Sequence, residues 1–136
     1  MNSIYPVICV ESVEVSKQFY TSLLDFNIVF ELDWYIQLQS PTDENLQLAF
    51  VLRNHASVPK QFQQSPQGVV VTVEVDEVDA LYQKALDMQY DIALELKDED
   101  WGQRHFMTVD PEGLLVDVVK VIPPSSEFLA AYEGTE

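Results

Sequence analysis

The sequence predicts an α+β fold built from two strand-helix-three-strand (βαβββ) modules, and three observations predict it. Apolar runs with strand and helix periodicity follow one another in the order strand, helix, strand, strand, strand. A polar stretch interrupts that order, and the same order then starts again. The residues repeat too: Phe26-Asn27-Ile28-Val29-Phe30-Glu31-Leu32 matches Tyr90-Asp91-Ile92-Ala93-Leu94-Glu95-Leu96 at an offset of about 64. Val10-Glu11-Ser12-Val13-Glu14 matches Val75-Asp76-Glu77-Val78-Asp79 at nearly the same offset.

Each element has its own local reason. Residues 4–10 are rich in β-branched side chains and read as a strand. Ser12 can cap a helix over residues 13–24, where Phe19, Tyr20, Leu23 and Leu24 recur on one face. Strands are expected at 26–32, 34–39 and 46–52, the last two joined by a turn containing Ser40, Pro41, Asp43, Glu44 and Asn45. Residues 53–68 are polar and Pro-bearing and read as a linker or long loop. The second module opens with a strand at 69–75. Asp76 is then expected to cap a helix with Val78, Leu81, Tyr82, Ala85 and Leu86 inward, and Asp79 to complete a capping box. Strands follow at 92–96, 103–109 and 114–122, with Asp110-Pro111-Glu112-Gly113 as the last turn. The modules are thus 1–52 and 69–122, with a tail at 123–136. In that tail Ser125 or Ser126 caps a short helix over 127–132, whose Phe128, Leu129 and Tyr132 share a face that should dock on its own domain or on a partner subunit. A module of about 55–60 residues buries little alone, so the two are expected to pack together.

Composition narrows the function. The chain has 136 residues and a net charge of 7 − 23 = −16. Seven scattered basic residues offer no phosphate-binding patch, so neither nucleic acid nor an anionic membrane is an expected partner. A strongly negative surface attracts cations, so a basic small molecule or a basic protein partner is expected over an acidic metabolite. The lone Cys9 excludes an intramolecular disulfide and a multi-cysteine zinc site. With no signal-peptide pattern at the N-terminus and no apolar run of membrane-spanning length, a cytoplasmic location is expected. No P-loop, Gly-x-Gly-x-x-Gly, Gly-x-Ser-x-Gly or His-Glu-x-x-His stretch occurs. Cys9 reads as an inert thiol, and His55 and His105, lacking a His or Glu partner four residues away, read as surface or packing residues. Asp98-Glu99-Asp100 reads as a solvated loop. Trp34, Tyr35, Phe62, Trp101, Phe106 and Tyr5 could wall a pocket, and Trp101, between carboxylates and Gly102, suits a planar cation best.

The motifs resemble the vicinal oxygen chelate superfamily, which holds glyoxalase I, bleomycin-resistance and fosfomycin-resistance proteins and extradiol dioxygenases. The resemblance rests on Val10 through Phe19-Tyr20 and Leu23-Leu24-Asp25-Phe26, with Asp25 where Gly is usual. It rests also on Val75-Asp76-Glu77-Val78-Asp79-Ala80-Leu81, and on Trp101-Gly102-Gln103-Arg104 followed by Asp110-Pro111-Glu112-Gly113. It implies that the modules form a cupped mixed sheet with helices outside, and a pocket in the cup. Alternation then turns Tyr5, Val7, Cys9, Gln47, Ala49, Val70, Thr72, Glu74, Leu115, Asp117 and Val119 inward. The ligand set expected is Tyr5, Gln47, Val70, Thr72, Trp101, Arg104, Phe106 and Asp117. The superfamily's metal positions fall on Tyr5, Gln47, Val70 and Asp117, of which only Asp117 is a good anionic ligand. The resemblance therefore points to a metal-free binding protein of the bleomycin-resistance type, without cofactor, expected as a homodimer. A lyase, isomerase or dioxygenase of the same superfamily, using an atypical metal or Asp117 or His105 as acid or base, and a non-catalytic interaction module are the alternatives.

Overall fold

A computed structural model describes residues 1–134. The elements run β1 (Val7–Val10), α1 (Val13–Leu24), β2 (Asn27–Leu32), β3 (Tyr35–Gln39), β4 (Gln47–Leu52), β5 (Val70–Glu74), α2 (Val78–Asp87), β6 (Ile92–Glu99), β7 (Gln103–Val109), β8 (Leu115–Val121) and α3 (Ser126–Gly134). The order is the predicted βαβββ twice, with a single 3-10 turn at Lys60–Phe62 in the long loop. By their contacts the residues fall into two units, Met1–Val69 with Pro111–Leu114, and Val70–Asp110 with the chain from Leu115 onward.

Each unit is a four-stranded mixed sheet with the same strand order, β1-β4-β3-β2 and β5-β8-β7-β6. The outer pairs β1/β4 and β5/β8 are parallel because a helical crossover separates them; the hairpin-linked pairs are antiparallel. Both β2/β3 and β6/β7 carry register irregularities, at Ile28/Phe30 in the first and at Ile92/Leu94 and Leu94/Lys97 in the second.

In the first unit Ser12 caps α1 by accepting from the Val15 N–H at 3.3 Å, as predicted. The Glu112 carboxylate adds to this start by accepting from the Glu11 and Ser12 N–H groups. The helix ends at Asp25 in the left-handed region (φ 57), which explains why Gly is usual there. Its buried face of Val13, Ser16, Phe19, Tyr20, Leu23 and Leu24 covers Ile36, Leu38, Leu48 and Phe50, with the Tyr20 and Phe50 rings 5.0 Å apart.

The second unit is built the same way around Val78, Ala85, Phe106, Val116 and Val118. Its helix start differs from expectation. Glu77, not Asp76, is the N-cap, and it makes no side-chain capping bond. Asp79 is drawn away from the helix terminus by Arg104, whose Nε donates to it at 2.8 Å. Ser125 does cap α3, accepting from the Phe128 N–H at 3.0 Å, and Phe128, Leu129 and Tyr132 are each partly exposed.

Candidate functional site

Cross-strand register sorts the side chains, since paired residues share a face. In the first unit Val7 pairs Ala49, Ala49 pairs Gln37, and Tyr35 pairs Val51, so all five stand on the face away from α1. There Val7, Phe30, Trp34, Tyr35 and Val51, with Ser57 and Val58 of the long loop, line a cavity of about 430 Å³. That volume lies within the usual range for small-ligand pockets. The loop is brought to the sheet by a face-to-face stack of His55 on Trp34 (3.6 Å between rings, 3° between planes) and by an Arg53–Glu11 ion pair at 2.7 Å. A polar ladder borders the cavity. The Tyr35 hydroxyl donates to Gln37 Oε1 at 2.8 Å, Gln37 Nε2 donates to Gln47 Oε1, and Gln47 Nε2 donates to the Glu44 carbonyl at 3.0 Å. Burial, reinforced by Tyr5, pushes the Tyr35 phenol up, so it is neutral and a donor at physiological pH.

In the second unit the face away from α2 carries Thr72, Asp117 and Met107, which are register partners in turn, together with His105 and Lys97. His105 is 2% exposed, and both its ring nitrogens meet a carboxylate. Nδ1 lies 2.8 Å from Asp117 Oδ1 and Nε2 lies 2.9 Å from Glu99 Oε2. Lys97 Nζ approaches the other Glu99 oxygen at 3.3 Å. Burial acts to push the His105 pKa down, but the bonds to Glu99 and Asp117 outweigh it and hold the imidazole above its usual range. The His105 bond likewise holds Glu99 below the usual carboxylate range.

These placements correct several expectations. Arg104 and Phe106, expected in the ligand set, stand on the α2 side of the sheet, because residues 104 and 106 alternate with 103 and 105. Phe106 is fully buried with its ring 5.1 Å from Tyr82. Arg104 pairs with Asp79 and with Asp98 at 2.9 Å, and these two carboxylates raise its pKa. The acidic run is only in part a loop: β6 extends through Glu99, and Asp98 and Glu99 each face a cation, while Asp98 and Asp100 are exposed to solvent. His105 is a buried charge-network member, invisible in sequence because its partners are 6 and 12 residues away on other strands. Tyr5 and Gln47 belong to the first unit, and Val70, Thr72 and Asp117 to the second. Trp101, in the β6–β7 turn, is half exposed and donates its indole N–H to Gln103 at 2.8 Å. Of the cavity walls, Trp34, Tyr35 and Val7 are expected from the sequence, while Phe30, Val51, Ser57 and Val58 are not, although strand phase relative to Tyr35 marks Val51.

The inherited metal positions do not fit a divalent ion. Val70 has no donor, the Gln47 oxygen already accepts from Gln37, and one Asp117 oxygen is engaged by His105. Among the described residues no group of three or more His, Cys, Asp and Glu side chains is placed to hold a metal.

Solved structures described as members of the glyoxalase/bleomycin resistance protein/dioxygenase superfamily, and others, share this fold. A superfamily enzyme from Burkholderia phytofirmans PsJN shares 14% identity at TM-score 0.74, over 87% of this chain and 97% of that one. TnmS3, an antibiotic binding protein from Streptomyces sp. CB03234, shares 18% at TM-score 0.69, over 89% and 96%. Lactoylglutathione lyase from Agrobacterium tumefaciens shares 13% at TM-score 0.68, over 86% and 91%. At such identities the likeness is one of fold. The chain itself belongs to the glyoxalase-like domain family, which matches residues 3–122. No curated protein matches it.

Proposed function

We propose that this chain is a metal-independent small-molecule-binding member of its family, sequestering a hydrophobic compound in the first unit. The observation that carries this reading is the cavity walled by Val7, Phe30, Trp34, Tyr35, Val51 and Val58, with a tryptophan, a tyrosine and a phenylalanine but no carboxylate among its lining residues. Apolar walls with a few polar groups at the margin, here Ser57 and the Tyr35 hydroxyl, are what a small-ligand site requires. A cationic ligand is the weaker variant, because Asp98 and Glu99 are each neutralised by a cation of the chain itself. TnmS3, an antibiotic binding protein by its description, lends the fold a precedent for this use. An acid-base enzyme would draw on Glu99, His105 and Asp117, whose ring nitrogens are both already committed to carboxylates. A cytoplasmic homodimer completes the proposal: no helix among the described residues is long and apolar enough to cross a membrane, and the edge strand β2 exposes Ile28, Val29, Phe30 and Leu32.

The test is a fluorescence titration with two panels, flat uncharged aromatics and cationic aromatics. Quenching by the first panel is expected, retained in Trp101→Phe and weakened at least about tenfold in Phe30→Ala, the loss expected for removing a large aromatic anchor. A response that survives Phe30→Ala but disappears in Trp101→Phe would move the site to the second unit. No response from either panel would favour an interaction module.

A further inference from the structure

A hydroxyl ordinarily both donates and accepts hydrogen bonds, and two side chains that line the first unit's cavity, Tyr35 and Ser57, carry one. Each is held to a single role by a backbone group. At Tyr35 the role is set from the far end of its ladder. The Glu44 carbonyl only accepts, so the group of Gln47 that meets it at 3.0 Å is the amide nitrogen. Gln47 Oε1 is then left to accept from Gln37 Nε2, which turns Gln37 Oε1 toward Tyr35. The Tyr35 hydroxyl gives its one proton to that oxygen at 2.8 Å, and its own oxygen offers lone pairs alone. At Ser57 the role is set by the residue's own N–H, which donates to His55 Nδ1 at 3.1 Å. A ring nitrogen that accepts carries no proton, so the Ser57 hydroxyl, 2.8 Å from the same Nδ1, is a donor to it. The stack of His55 on Trp34 keeps that nitrogen in place.

We propose that the cavity selects apolar compounds that carry a hydrogen-bond donor, an alcohol, a phenol or an N–H group, over compounds whose polar atoms only accept, such as ethers and ketones. Two unrelated segments, strand β3 and the long loop, arrive at the same polarity, because the protons of both hydroxyls are committed to Gln37 and His55. A donor on the ligand meets a free lone pair at either one. An ether or ketone oxygen in the same place faces lone pairs and loses its water without gaining a bond. The other lining side chains are apolar except for the Trp34 indole N–H, the one side-chain donor left on the wall. Burial holds the Tyr35 phenol protonated, so the ladder keeps its first proton at physiological pH. This inference rests on the reading that the cavity binds a small hydrophobic molecule, and it adds the chemistry of that molecule's polar edge. It also gives Gln37 and His55, which are not among the lining residues, a positioning role: each fixes the role of a hydroxyl that is.

The test compares 2-naphthol, which donates, with 2-methoxynaphthalene, which only accepts, by equilibrium dialysis against the full chain. The quantity read is the methoxynaphthalene Kd divided by the naphthol Kd, in wild type and in two variants that release a hydroxyl proton. Gln37→Met removes the acceptor of the Tyr35 proton. His55→Phe keeps a ring for the Trp34 stack but removes the acceptor of the Ser57 proton. Dividing the wild-type ratio by the variant ratio cancels the size and hydrophobicity of the two compounds. That quotient is expected at about 3–10 in Gln37→Met, the effect of one hydrogen bond, and above one in His55→Phe. If both compounds bind and the quotient is one in both variants, the cavity reading stands and the donor preference is overturned. If wild type binds neither compound, the cavity reading falls and the ligand class falls with it. Should Gln37→Met not fold, Tyr35→Phe decides: it removes the acceptor itself, and a ratio unchanged from wild type would overturn the assignment at Tyr35.

Discussion

His105 sets the most specific expectation at the residue scale. Its raised pKa means that the folded state binds the proton more tightly than the unfolded chain. Its contribution to stability is therefore complete below the unfolded value of about 6.5, and it is lost as pH rises through the higher folded value. Glu99 works in the opposite sense. Held below its ordinary range, it contributes above about pH 4.5 and loses that contribution as pH falls through its depressed value. Thermal melts of wild type and His105→Gln from pH 4 to 9 should therefore differ most between about pH 4.5 and 6.5 and converge on both sides. A difference that is flat with pH would mean that the ring is held by packing and not by charge. Gly102 offers a second single-residue test. It has φ +108, and a Cβ there would lie 2.8 Å from the Ile122 carbonyl oxygen, so Gly102→Ala should destabilise by at least about 1–3 kcal/mol in denaturant titration. The glycine was legible in sequence as a turn residue. The carbonyl that forbids a side chain there is 20 residues away and was not.

Elements behave as their patterns predict where burial decides and differ where charge intervenes. The α1 stripe of Phe19, Tyr20, Leu23 and Leu24 was readable from spacing because all four residues meet one sheet face. The start of α2 departs from its sequence pattern. Asp76 and Asp79 have the right chemistry for a capping box, but Arg104 on β7 engages Asp79, and a guanidinium between two carboxylates outcompetes a helix-start N–H. The Glu112 carboxylate at the start of α1 could not be read either, because 100 residues separate it from Ser12. Glu112→Ala should remove acceptors from two N–H groups and cost about 0.5–2 kcal/mol, comparable to losing a cap, as measured by urea unfolding. Phe106→Ala should cost more, about 3–5 kcal/mol, because the ring fills the core under Tyr82 and does not line a ligand site. Loss of ligand binding in a Phe106→Ala variant of unchanged stability would contradict its placement.

At the scale of the whole molecule, the −16 charge opposes self-association while exposed apolar side chains favour it. The screening length is about 10 Å at 0.1 M salt and about 3 Å at 1 M. The proposed homodimer should therefore strengthen as salt rises, in sedimentation velocity runs at a fixed protein concentration. A monomer at every salt concentration would remove the dimer from the proposal. The same charge first suggested a cationic ligand. With Asp98 on Arg104 and Glu99 on His105, part of the acidity belongs to ion pairs within the second unit, and the cavity walled by Trp34 and Tyr35 is mostly apolar.

By itself the sequence determined the α+β class, the duplicated βαβββ order, the apolar face of α1, and the absence of a metal-competent ligand at Val70, because each depends on residue type and spacing within a few turns of chain; on α2 only Val78 and Ala85 of the expected inward face are buried, and Leu86 is exposed. Only the tertiary structure decided which alternate residues face away from the helices, and it puts Arg104 and Phe106 on the α2 side of their sheet. It also brought Val7, Phe30, Trp34, Tyr35, Val51 and Val58 around one cavity and closed Glu99 and Asp117 on His105. The physical reason is that strand register is fixed by pairing between distant segments, and a shift of one residue exchanges the two faces of a strand.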